Sequence, residues 1–136
     1  MKIAILGAGR VAQTLGAGWK KSGHDVIFGA RDASATDPDF EITSLQDALA
    51  AGDVTAGAVA LQAITALDTS AMAGKTLLDA TSARTGTGDL VYPNSSLAEH
   101  LQAALPAVHV VKSLHTAAIE VLADLRGGRE AVVIYR

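Results

Sequence analysis

A glycine-rich turn near the start of the chain is the sequence feature with the clearest chemistry. It has the pattern G-x-G-x-x-A over residues 7–12 and lies between an apolar run and a helical pattern. Gly7 permits a tight turn, and Gly9 leaves room for a phosphate to approach the backbone. The N–H groups at the start of the helix, around Arg10 and Val11, favour an anion. These four residues therefore predict a dinucleotide site, although a glycine turn without any ligand has the same local pattern.

The end of the second apolar run distinguishes between classes of nucleotide. An NAD site has an acidic residue there to hold ribose hydroxyls, and so does a methyltransferase that uses a nucleoside methyl donor. Here the run continues as Gly29-Ala30-Arg31-Asp32, so that its first polar residue is Arg31. A guanidinium favours a 2′-phosphate, which predicts NADP(H) with Ala30 and Arg31 as contacts. Asp32 could reach a ribose or could be an ordinary turn residue.

The composition excludes several other classes of function. The net charge of -3 is unlike that of a nucleic-acid-binding protein, which needs a basic surface to displace counterions. The chain has no cysteine, and its four histidines lie at no metal-ligand spacing, so no metal site is predicted. The apolar run at the N-terminus is too short for a membrane span or a signal peptide, which predicts a cytoplasmic protein.

The elements that must position these residues alternate between short apolar runs and helical patterns. Strands are predicted at 2–6, 25–29, 40–43, 54–60, 76–79, 109–113 and 131–135. Helices are predicted at 10–22, at 44–52 with Ser44 as the N-cap, from Ser95 or Ser96 as the cap to about residue 105, and at 116–125, with a helical stretch within 61–72. This alternation predicts an α/β, Rossmann-type doubly wound fold with a mainly parallel sheet and helices on both faces. In the first helix, Val11, Leu15 and Trp19 are predicted to face the core. The length of 136 residues fits a single domain.

Several segments resemble the NADPH:coenzyme F420 oxidoreductase family, whose members use a deazaflavin. They are residues 1–9, 23–26, 29–31, 77–81 and 110–116. The resemblance implies NADP(H) binding and hydride exchange with a deazaflavin, held by the loops after the fourth, fifth and sixth strands. On this chain those loops contain Leu61 and Thr81 as cofactor contacts, and His115 and Thr116 as residues that position the rings. His115 could equally be an ordinary histidine at a strand end.

The chain also departs from that family. Ala30 stands where a serine often accompanies the arginine, and residues 79–81 are not followed by the usual Asn-Pro. The family continues into a C-terminal segment that helps to build the deazaflavin site and the dimer. We expect residues 1–136 to be one NADP-binding Rossmann domain that lacks this segment. A predicted strand at 131–135, with nothing after it to cover it, favours a homodimer.

Two further functions stay open at the level of the sequence. One is a non-catalytic NADP-binding module, such as a sensor or a truncated domain. The other is a different Rossmann reductase, acting on an imine or a β-hydroxy acid, although such enzymes place their acidic groups in an additional helical domain. For any of the reductases, the partner is a small-molecule hydride acceptor or donor.

Overall fold

A computed structural model describes residues 1–59, 61–84 and 87–114 of the chain. Its strands are β1 (Lys2–Leu6), β2 (Asp25–Ala30), β3 (Glu41–Ser44), β4 (Val54–Gly57), β5 (Thr76–Asp79) and β6 (His109–Lys112). Its helices are α1 (Arg10–Lys21), α2 (Leu45–Ala51), α3 (Leu61–Thr65) and α4 (Leu97–Ala104), with a 3₁₀ turn at Ser70–Met72. Strand and helix alternate as the sequence predicts.

The six strands form one parallel sheet in the order β3-β2-β1-β4-β5-β6. The chain adds strands on one side of β1 and then crosses to the other, so the order reverses between β1 and β4. Leu6 is in register with Gly29 on one side and with Gly57 on the other, which brings the carboxyl ends of three strands to the same edge. The predicted Rossmann-type α/β fold is confirmed, and the reversal creates the crevice in which such sheets bind ligands.

Helices cover both faces of the sheet because its strands present apolar side chains on both faces. On β1, Ala4 and Leu6 belong to a core shared with α2 and α4. Ile3 and Ile5 belong to a second core shared with α1. The sheet therefore has a packed core on each side.

The buried side of α1 differs from the predicted one. Its buried residues are Ala12, Leu15 and Gly16, with the half-buried Trp19 packed against the same core, whereas Val11 is 40% exposed. Residues 12, 15, 16 and 19 follow the helical period and share one side of the helix. The predicted residues 11, 15 and 19 are spaced by four, slightly more than one turn, so their direction rotates gradually around the helix. The prediction of a core position was thus right for Leu15 and Trp19 and wrong for Val11.

Other boundaries differ where polar side chains stop an element. The helical stretch predicted within 61–72 consists of α3 and the separate 3₁₀ turn, which begins where the Asp68 carboxylate accepts a hydrogen bond from Ser70 N at 3.0 Å. The N-cap predicted at Ser44 is confirmed, since its side chain accepts from Asp47 N at 3.1 Å. Of the two alternatives for the cap of α4, Ser95 and Ser96, the structure has Ser96.

Several predictions fall on residues outside those that the structure describes. They are Ala60 at the end of the fourth predicted strand, the helix at 116–125, and the strand at 131–135 with the homodimer inferred from it. The homodimer therefore stays a prediction. Within the three described ranges, no helix combines the length and apolar character that crossing a membrane requires.

Thr55 in the centre of β4 generates a prediction about stability. Its side chain is fully buried, and Oγ1 has no hydrogen-bond partner among the described residues. Because an unpaired buried hydroxyl is costly, we expect Thr55→Val to raise the free energy of unfolding by about 1 kcal/mol in urea denaturation. The control Thr55→Ser keeps the hydroxyl, loses a buried methyl group and should be destabilising. An unchanged or lower stability for Thr55→Val would contradict the prediction.

Candidate functional site

A cleft of about 820 Å³ lies at the carboxyl ends of β1, β2 and β4. It is formed by the turn after β1, the end of β2, the start of α2 and the residues after β4. The lining residues are Gly7, Ala8, Gly9, Gly29, Ala30, Arg31, Asp32, Leu45, Ala58, Val59 and Ala63. We call this space the large cleft. It occupies the point where the strand order reverses.

The glycine turn forms the wall of the large cleft next to α1. Gly7 has a φ of +115°, and a Cβ on it would lie 3.2 Å from Val59 Cγ1 and 3.3 Å from Ala58 O. Its N–H donates to Gly29 O at 2.7 Å, which ties the turn to the end of β2. A side chain at Gly7 would therefore be strained and crowded by protein atoms.

Gly9 differs from Gly7 because the space around it is open. It is the N-cap of α1 in an ordinary extended conformation, with a φ of -79°. A Cβ added to Gly9 would meet no described protein atom within 4 Å. No acidic side chain lies in the first turn of α1, and the first N–H groups of a helix have no partner within the helix itself. A phosphate would fit this position sterically and electrostatically.

The residues after β2 place opposite charges beside the same cleft. Arg31 is exposed and lines the cleft directly after Ala30. Asp32 Oδ1 accepts hydrogen bonds from Ser34 Oγ at 2.6 Å and from Ser34 N at 3.0 Å. Both bonds lower the pKa of Asp32, and the bond from the Ser34 hydroxyl has the larger effect. The Asp32 carboxylate is thus engaged in its own turn, whereas Arg31 contributes a cationic side chain to the lining of the cleft.

A smaller cleft of about 300 Å³ adjoins the large one on the side of β5. Its lining residues are Val11, Ala58, Val59, Ala80, Thr81 and Ser82. Ala58 and Val59 line both clefts, so the two spaces share a wall. The exposure of Val11 has a structural explanation here, because this residue faces the smaller cleft and not the core.

A buried polar cluster lies beneath the smaller cleft, at the ends of β5 and β6. Asp79 is 1% exposed, and its Oδ2 accepts from Lys112 Nζ at 2.9 Å. Its Oδ1 accepts from Thr81 Oγ1 at 2.5 Å and from Thr81 N at 3.0 Å. Lys112 Nζ also donates to Thr81 O at 2.5 Å. Both carboxylate oxygens are therefore satisfied, and the orientation of Thr81 is fixed by three hydrogen bonds, two to the Asp79 carboxylate and one from the Lys112 ammonium.

The structure brings most of the sequence-predicted site residues to these two clefts. Gly7, Gly9, Ala30 and Arg31 line the large cleft, and Val11 and Thr81 line the smaller one. Arg10 begins α1 next to Gly9, and Leu61 begins α3, whose Ala63 lines the large cleft. His115 and Thr116 lie outside the described residues.

Sequence reasoning missed Ala58 and Val59 at the wall between the clefts, and the pair formed by Asp79 and Lys112. The first two are small or apolar and carry no chemical signal of their own. The second pair had a usable signal, because Asp79 ends one predicted strand, Lys112 lies near the end of another, and the parallel register places the two side by side. Within the described residues, no three His, Asp or Glu side chains are grouped closely enough to hold a metal ion.

The fold, the reversal of strand order and the glycine turn together define a Rossmann-type nucleotide-binding domain. The model of the family described as NADP oxidoreductase, coenzyme F420-dependent, matches residues 2–83. The chain therefore belongs to this family, which confirms the resemblance seen in the sequence. The matched segment runs from β1 to the loop after β5 and includes both clefts.

The chain is also similar in fold to solved structures. A protein from Arthrobacter sp. FB24, assigned as an F420-dependent NADP reductase, is 26% identical with a TM-score of 0.76; the match covers 92% of this chain and 67% of that one. A hypothetical protein from Sinorhizobium meliloti is 23% identical with a TM-score of 0.70, over 94% and 68% of the two chains. An imine reductase from Streptomyces aurantiacus is 15% identical with a TM-score of 0.51, over 92% and 60%. The last two show similarity of fold alone. No curated protein sequence matches the chain.

Proposed function

We propose that this chain is an NADP(H)-binding domain that exchanges hydride between NADP(H) and a deazaflavin. The observation that carries the proposal is the form of the large cleft. The open space at Gly9, the N-terminus of a twelve-residue helix and the side chain of Arg31 all belong to this one cleft. The family to which the chain belongs supports the same cofactor.

The order of the strands suggests how the dinucleotide would lie. Its pyrophosphate would occupy the turn at Gly7 and Gly9, because the positive end of the α1 dipole lies there. The adenosine 2′-phosphate would then lie on the β2 side, next to Arg31, where a charge-assisted hydrogen bond can form. The nicotinamide half would extend in the other direction, past Val59 to the smaller cleft beside Thr81.

The residues of the chain would act on the reaction mainly through position. When bound, NADPH supplies a hydride that the acceptor takes up together with a proton from solvent, so the protein needs no acid or base for the hydride itself. Val11, Ala58, Val59 and Ala80 give the smaller cleft an apolar wall that would limit access of water to the ring. His115 and Thr116 are proposed to position the rings from the following loop.

A substitution at Gly9 tests the placement of the phosphates. Gly9→Val should leave the fold intact, since a Cβ there meets no described atom within 4 Å, yet it should weaken NADP(H) binding by at least about tenfold by filling the phosphate position. Gly18 is a matched control, because it lies in α1 with equally open surroundings and lines neither cleft. Calorimetric titration of Gly9→Val and Gly18→Val gives the comparison. Equal affinities in the two folded variants would contradict the placement.

A substitution at Arg31 tests the choice of NADP(H) over NAD(H). A charge-assisted hydrogen bond to the 2′-phosphate contributes about 1.5–3 kcal/mol, which corresponds to a preference of roughly one to two orders of magnitude for NADPH. Arg31→Ala should remove most of this preference and leave the affinity for NADH nearly unchanged. Arg31→Lys keeps the positive charge but lacks the planar guanidinium, and it should retain part of the preference for NADPH. Equal affinity of the parent protein for NADPH and NADH would overturn the assignment.

The hydride partner needs a separate measurement. Mixing the protein with NADPH and a deazaflavin should give oxidised NADP⁺ and reduced deazaflavin in equal amounts, which absorbance can follow. Binding of NADPH without any transfer would support a non-catalytic NADP-binding module instead. Transfer to an imine but not to a deazaflavin would favour another class of reductase.

A further inference from the structure

We propose that Thr81 and Ser82 recognise the carboxamide group of the nicotinamide ring, with Thr81 accepting a hydrogen bond and Ser82 donating one. The inference rests on the proposed function, since it assumes that the nicotinamide half of NADP(H) reaches the smaller cleft. It adds the chemistry by which that cleft would select the ring and fix its orientation.

The hydrogen-bonding capacity left on Thr81 follows from its partners. A threonine has two donors, the backbone N–H and the hydroxyl, and both donate to Asp79 Oδ1. The carboxylate can only accept, because it is paired with the Lys112 ammonium at 2.9 Å. The direction of the hydroxyl hydrogen bond is therefore fixed. What Thr81 offers to a ligand in the cleft is an acceptor lone pair and no donor.

Ser82 has the opposite capacity. Its Oγ accepts a hydrogen bond from Arg84 N at 3.2 Å, which occupies one lone pair. Among the described residues the O–H has no acceptor, so it can donate to a ligand. Ser82 is exposed and lines the smaller cleft next to Thr81. Two adjacent residues thus present an acceptor and a donor to the same space.

A primary carboxamide is the part of NADP(H) that matches this arrangement. Its NH₂ group can donate to Thr81 while its carbonyl oxygen accepts from Ser82. The other described residues of the cleft wall are Val11, Ala58, Val59 and Ala80, which suit an aromatic ring and have no polar side chain. The carboxamide has different groups at its two ends. Pairing both ends would therefore also determine which face of the nicotinamide ring is turned towards the hydride acceptor.

The cluster formed by Asp79, Lys112 and Thr81 keeps the Thr81 hydroxyl in the role of hydrogen-bond acceptor towards the cleft. Lys112 Nζ donates to both Asp79 Oδ2 and Thr81 O, so the carboxylate and the backbone of the loop are held by the same ammonium group. Asp79 is almost fully buried, so solvent cannot easily replace Thr81 as its partner. We therefore assign Asp79 and Lys112 as positioning residues for Thr81.

Analogues of NADP⁺ test the inference by binding, without any need for hydride transfer. The 3-acetylpyridine analogue has a methyl group in place of the NH₂, whereas the thionicotinamide analogue keeps the NH₂ and replaces the carbonyl oxygen by sulfur. We expect the parent protein to bind NADP⁺ roughly two- to tenfold more tightly than the acetylpyridine analogue, as the loss of one hydrogen bond predicts. Binding is measured by calorimetry under identical conditions.

Variants of the two residues separate this role from a purely structural one. Thr81→Val should bring the affinities for NADP⁺ and the acetylpyridine analogue to within about twofold, while the conservative Thr81→Ser should keep the gap. Ser82→Ala should instead reduce the preference for NADP⁺ over the thionicotinamide analogue. If Thr81→Val folds poorly, the comparison of ligands on the parent protein and on Ser82→Ala still decides the question.

The outcomes distinguish failure of this inference from failure of the proposed function. Tight NADP⁺ binding with no discrimination against either analogue would overturn the carboxamide site and leave the proposed function standing. A discrimination that Thr81→Val leaves unchanged would overturn the role of Thr81. Absence of any NADP⁺ binding would contradict the proposed function, and the inference with it.

Discussion

Backbone hydrogen bonds continue past the carboxyl ends of the strands, and both clefts depend on them. Gly7 N donates to Gly29 O at 2.7 Å, and Ala58 N donates to Leu6 O at 3.0 Å. On the β5 side, Ala80 N donates to Gly57 O at 3.2 Å. These bonds extend the parallel ladder by one step into the loops, so the first residues of each loop are placed as firmly as the strands. A cleft built from such residues is largely formed before a ligand arrives.

Glycine residues allow the helices to pack close to the sheet. A Cβ on Gly29 would lie 2.9 Å from Ala48 Cβ, so α2 can approach the end of β2 only because this residue is glycine. Gly16 allows α1 the same close approach to Phe28. Close packing on both faces leaves polar groups few places in the interior. Asp79 is buried there with Lys112 and Thr81 as partners, as a buried carboxylate requires.

The sequence predicted those parts of the structure that local patterns determine. The turn from Gly7 to α1, the position of Arg31 after β2 and the cap at Ser44 each depend on a few neighbouring residues. The prediction that Val11 faces the core was wrong, because residues spaced by four do not by themselves define the buried side of a helix. The pair formed by Asp79 and Lys112 was missed because its members are 33 residues apart and meet only through the register of β5 and β6. Such a contact can be predicted only after the strand order is known.

The central claim is that NADP(H) lies across the large cleft, with its pyrophosphate at the start of α1. A crystal structure of the protein with NADP⁺ tests it most directly. We expect pyrophosphate oxygens within hydrogen-bonding distance of the backbone N–H groups that follow Gly7, and the 2′-phosphate in contact with the Arg31 guanidinium. A dinucleotide bound outside the cleft, or bound with its nicotinamide half on the β2 side, would contradict the claim.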